Sequence, residues 1–144
     1  MAVVRSFILA PRRPRWLESL GDPKRRSGFL DRLNHCRDLD EHFARPIPYM
    51  DVAALLRSHA APAGCHVISA VADIDGREMP LAEAVDLAEA GGWGTILSCI
   101  PGHLACYIDE RGSNRRMILA READASRSAS TAIQRAGGTR PGGG

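Results

Sequence analysis

A chain of 144 residues with a formal net charge of +2 is long enough to bury an apolar core without disulfides or a structural metal. Aromatic residues make up only 5%, so that core must be mostly aliphatic. No apolar run approaches the roughly eighteen residues of a membrane span. The short N-terminal apolar run lacks the length and the small-residue cleavage site of a secretory signal, so the sequence predicts a cytoplasmic protein with no membrane association.

The charge is unevenly spread. Ten Lys or Arg stand against six Asp or Glu through residue 46, two against nine from 47 to 110, and seven against two afterwards. Basic ends around an acidic middle fit an anionic partner touching the ends, and equally two parts of one domain neutralising each other. Lys24 is the only lysine among nineteen basic residues, a bias that fits coding in a GC-rich bacterial genome and lowers the weight of arginine number as a sign of nucleic-acid binding.

Val3 to Leu9 is apolar and β-branched and ends at Pro11, which predicts a strand. Arg12, Arg13 and Arg15 around Pro14 open a short helix carrying Trp16, Leu17 and Leu20, and Gly21 closes it. Asp22 then caps a second helix with Pro23 at its first position. Its apolar stripe is Phe29, Leu30 and Leu33. Asp38 to Pro48 is polar and twice interrupted by proline, which predicts a loop. Helix resumes near Tyr49 or Asp51, with Met50, Leu55 and Leu56 as core candidates, and stops before Pro62.

Cys65 to Val71 reads as the next strand, followed by a turn at 72–76 in which Gly76 supplies a cheap positive φ. Pro80 starts a helix whose Leu81, Ala84, Val85 and Ala88 recur at helical spacing, and Gly91-Gly92 ends it. Thr95 to Ile100, Leu104 to Asp109 and Arg116 to Ala120 then form a three-stranded meander, turned at Pro101-Gly102 and at 110–114. A tight first turn places Leu97, Cys99, Leu104, Cys106 and Ile108 on one face. The order predicts an α+β fold with a mostly antiparallel five-stranded sheet, a C-terminal β-meander and helices on one face. Residues 1–122 form a single domain in this reading. Residues 123–144 are rich in Ser, Ala and Gly and predict a disordered tail.

Chemistry-bearing residues are few. The densest polar cluster runs from Asn34 to His42, where His35, Asp38, Asp40 and His42 are the candidate catalytic residues of a metal-dependent hydrolase or nuclease. The competing explanation is a solvated loop capped by one of the aspartates. Asp73, Asp75 and Gly76 resemble half a calcium loop but lack the distal glutamate. Cys36, Cys65, Cys99 and Cys106 have no CxxC spacing; a zinc site with His35, His66 and His103 matches no standard pattern, and reduced core thiols are expected instead. Cys99 with His103 would make a nucleophile only if a base held its thiolate, which a strand cysteine rarely has. No cofactor motif and no metal site is expected.

Three functions compete. The leading one is a small binding or regulatory module that acts through protein contacts or an anionic ligand. The second is the hydrolase just described. The third is nucleic-acid binding through Arg12, Arg13, Arg15, Lys24, Arg25 and Arg26.

Overall fold

In the computed structural model, which describes residues 1–48, 51–113 and 115–121, the chain is α+β with an open antiparallel sheet. The elements in chain order are α1 (Ala2–Phe7), α2 (Arg13–Gly21), α3 (Pro23–Leu30), β1 (Ala44–Pro46), α4 (Val52–Ser58), β2 (Gly64–Ser69), β3 (Glu78–Pro80), α5 (Leu81–Gly91), β4 (Thr95–Ile100), β5 (Leu104–Ile108) and β6 (Arg116–Ala120). The sheet has six strands in the order β1-β6-β5-β4-β2-β3, not the expected five. The expected tail at 123–144, and Tyr49 and Met50 as helix start and core residue, lie outside the described residues. No helix among the described residues is long and apolar enough to cross a membrane.

The C-terminal meander forms as the alternation requires. Leu97 stands opposite Cys106 and Thr95 opposite Ile108, with an irregularity between Ser98 and Ile100 that accommodates Cys99. Leu97, Cys99, Leu104, Cys106 and Ile108 share one buried cluster with Val52, Leu56, Leu81, Ala84, Val85 and Ala88 of α4 and α5. The intervening residues Ile96, Ala105, Tyr107 and Leu119 belong to a second cluster with Val4, Phe7, Trp16, Leu20, Phe29 and Leu30 of α1 to α3. Helices therefore cover both faces of the sheet, which corrects the expectation of one. The reason is written in β4 and β5: TILSCI and LACYI are buried almost throughout, with only Thr95 and Ser98 polar, and a strand buried on both sides needs cover on both.

Val3 to Leu9 is not a strand. Val3, Val4 and Phe7 are buried while Ala2 and Arg5 face water, a helical spacing that docks one face of α1 on the sheet and outweighs the β propensity of two valines; Ile8, just beyond the helix, is extended and bridges Leu39. Two short edge strands also emerge where loops or turns were expected. β1 pairs with β6 within the segment 38–48, and β3 pairs with β2 just before α5. Each ends in a proline, Pro46 and Pro80, which a sheet tolerates at its edge because no ladder hydrogen bond is lost there. The Asp22 cap holds, its carboxylate accepting the Lys24 amide at 2.9 Å.

All four cysteines are buried and free. Burial pushes the Cys36 and Cys65 thiols up to about 11 and Cys99 up to about 12, and it raises Cys106 as well. The native protein is accordingly expected to react negligibly with Ellman's reagent at neutral pH and to release four equivalents only in denaturant. Rapid native labelling of any of them would show a thiol open to solvent.

Candidate functional site

The most constrained polar region lies at one end of the sheet, where the loop after α3 crosses the start of β4 and the β5–β6 turn. Gly94 makes the crossing feasible, because a β-carbon there would collide with the backbone of Leu33 and Asn34. The Asn34 side chain accepts the Gly94 amide at 2.6 Å. Tyr107, buried at the sheet centre, donates its hydroxyl to the Leu33 carbonyl at 2.5 Å and accepts the Cys36 amide at 3.0 Å. Arg115 lies over the Tyr107 ring and donates to the Cys36 carbonyl at 2.7 Å. Residues 33–36 are thus tied down on both sides of His35.

His35 itself has φ +51°, a left-handed conformation that is uncommon for a residue with a side chain. Its amide donates to Asp109 at 2.7 Å. Its ring is 62% exposed, with Nδ1 3.5 Å from the Asp109 carboxylate and Nε2 against Glu110. The Asp109 side chain is only 1% exposed and also accepts the Glu110 amide and the Ser113 hydroxyl, each at 2.7 Å. Burial alone would raise the Asp109 carboxyl, but the hydrogen bonds from the His35 amide, the Ser113 hydroxyl and the Glu110 amide outweigh it and hold the group below the usual carboxylate range.

Beside this loop the C-terminus of α5 turns through Gly92, at φ +72°, into Trp93. Trp93 is 51% exposed, whereas the other tryptophan, Trp16, is 1% exposed. The backbone beneath the indole is held by the Arg111 amide donating to the Gly92 carbonyl and by the Thr95 hydroxyl donating to the Trp93 carbonyl. Arg111 also caps α5 through the Ala90 carbonyl at 2.7 Å. Gly91, Gly92, Trp93, Glu110 and Arg111 line an open cleft of about 390 Å³.

The four expected catalytic residues have separate surroundings. His35 meets Asp109 and Glu110. Asp38 accepts the Trp16 indole N–H at 2.9 Å and lies 3.9 Å from Arg12. Asp40 accepts both the amide and the ring of His42 on an exposed turn. Among the described residues no three His, Cys, Asp or Glu side chains are grouped so as to hold a metal ion. Asp75 of the half calcium loop takes a two-pronged ion pair from Arg26, at 2.7 and 2.8 Å, which ties α3 to the turn after β2.

The six basic candidates divide likewise. Arg26 is committed to Asp75 and Arg13 donates to the Ile8 carbonyl at 2.8 Å, so both act within the fold. Arg25 pairs with Glu18 and Asp22 on the surface, and the side chains of Arg15 and Lys24 have no partner among the described residues. Trp93, Asp109 and Glu110 are not among the residues that the sequence marks for a site. An indole between two glycines, just outside a helix and a strand, was the available signal for Trp93; nothing local marked Asp109 as buried. The chain matches no protein-family model, no curated protein and no solved structure.

Two consequences are measurable. Gly94→Ala should cost at least about 3 kcal/mol, the upper range for overpacking, because the collision is with backbone that cannot rotate away; a thermal midpoint equal to wild type would contradict the crossing. Asp109 binds a proton less readily folded than unfolded, so its contribution is complete above about pH 4 and is lost as pH falls through the lower folded value. Acid unfolding followed by circular dichroism should show a shallower decline below that pH for Asp109→Asn than for wild type, from a lower starting stability. Parallel curves would contradict the assignment.

Proposed function

We propose that the protein is a binding module that docks a segment of a partner protein on the sheet end carrying Trp93. The observation that carries this reading is a half-exposed indole on a backbone locked from both sides. A rigid aromatic anchor loses little conformational freedom on binding, and Trp and Arg are the side chains most enriched among residues that dominate interface energy. Trp93 stands here beside Arg111 and an open cleft.

Two further features support binding over the alternatives. Both ring nitrogens of His35 face carboxylates, which leaves neither turned toward a substrate and favours recognition over proton transfer. Both edge strands are three residues long and end in proline, which disfavours partner binding by strand addition and leaves side-chain recognition at the sheet end.

Selection of displayed peptides on the wild-type protein, followed by affinity measurement on variants, tests the reading. Trp93→Ala is expected to stay folded with the wild-type circular dichroism spectrum, at a cost of about 1–3 kcal/mol for the half of the indole that is buried. It should weaken the selected peptides at least about tenfold, or ~1.4 kcal/mol. Peptides that bind Trp93→Ala as tightly as wild type would overturn the proposal.

A further inference from the structure

The charge asymmetry of the sequence is also an asymmetry in space. From residue 1 to 33 there are eight Lys or Arg against three Asp or Glu, and the helices of this segment pack on one face of the sheet. α5, on the other face, carries Glu83, Asp86 and Glu89 outward and no basic residue. After Arg13 and Arg26 are set aside as internal, Arg12, Arg15, Lys24, Arg25 and Arg32 remain exposed on or beside α2 and α3. Arg32 is held over the Phe29 ring, 5.7 Å from its centre, and the Glu18 and Asp22 pairs hold Arg25.

We infer that this helical face is a contact surface for the phosphate backbone of a nucleic acid, independent of the Trp93 surface. The cations are distributed over α2, α3 and their flanks, and none of these five lines a described cleft, a layout suited to an extended polyanion rather than to a small anion. Guanidinium groups match phosphate oxygens two at a time, and four of the five are arginines. α2 and α3 expose no large apolar side chain and Leu9 is the one on their flank, too little to insert into a lipid interface. The acidic α5 layer turns the molecule so that the basic face leads toward a polyanion. The contact inferred is to the phosphate backbone and therefore independent of sequence.

Fluorescence anisotropy of a short labelled oligonucleotide, single-stranded and duplex, tests the inference on the full chain. Binding should appear at low salt and weaken at least tenfold between about 50 and 200 mM salt, with a linear log–log dependence. Arg15→Glu combined with Lys24→Glu reverses two cations that hold no partner among the described residues. That variant should keep the wild-type thermal midpoint and lose at least tenfold in affinity, with a salt slope flatter by about 2. Trp93→Ala should bind the oligonucleotide as wild type does, which separates this surface from the peptide-binding one. No anisotropy change at low salt would overturn the inference, as would a charge-reversed variant that binds normally. Binding to phosphatidylserine vesicles, or to an acidic polypeptide such as polyglutamate, in place of the oligonucleotide would overturn it too.

Discussion

The Tyr107 hydroxyl, at the centre of the sheet, donates to the Leu33 carbonyl and accepts the Cys36 amide. These two bonds join the loop after the N-terminal helices to β5, in a place where neither backbone group could reach water. A buried amide or carbonyl left unpaired costs about 1–3 kcal/mol, so the loop has one position available to it. The approach of Leu33 and Asn34 over Gly94, the left-handed conformation of His35 and the burial of Asp109 depend on that fixed position. The side of the sheet facing α1 to α3 depends on it as well, since Leu33 and Cys36 belong to the same apolar cluster as Trp16, Phe29 and Tyr107.

Strain at His35 is sustained by the groups around it. Asp109 accepts its amide while Asn34 and Cys36 are bound on either side, so the residue is held in a conformation it would rarely choose alone. The same network extends through Glu110 and Arg111 to the Gly92–Trp93 turn. Trp93 is therefore presented between α5 and β4 on backbone that hydrogen bonds hold on both sides. Such fixed backbone is what the docking role proposed for Trp93 requires.

Much of the architecture was legible in local pattern. The periodicity of α5, the Asp22-Pro23 start of α3 and the shared face of Leu97, Cys99, Leu104, Cys106 and Ile108 in the meander each follow from local spacing, and each is found. What escaped was decided by partners distant in the chain. Val3 to Phe7 satisfies a strand by composition and a helix by spacing, and only the sheet face beneath it selects the helix. β1 and β3 are three residues each, too short to show a pattern, and exist because β6 and β2 offer them an edge. Helices on both faces could have been read from β4 and β5, whose apolar residues fall on both faces and which carry only Thr95 and Ser98 as polar residues. At the site, His35 was legible as a polar residue of interest. Its partners Asp109 and Glu110 lie more than seventy residues away and were not. Asp38 and Asp40, within five residues of His35, instead meet Trp16 and His42.

Backbone hydrogen exchange followed by NMR reads the locked sheet end directly. The amides of His35, Cys36 and Gly94 lie in loops or at an element boundary, yet each donates to a side chain of the clamp. They should exchange as slowly as the central amides of β4 and β5, near the global unfolding limit. Exchange of these three at the rate of ordinary exposed loop amides would contradict the account, because Trp93 would then stand on a mobile segment and not on a fixed one.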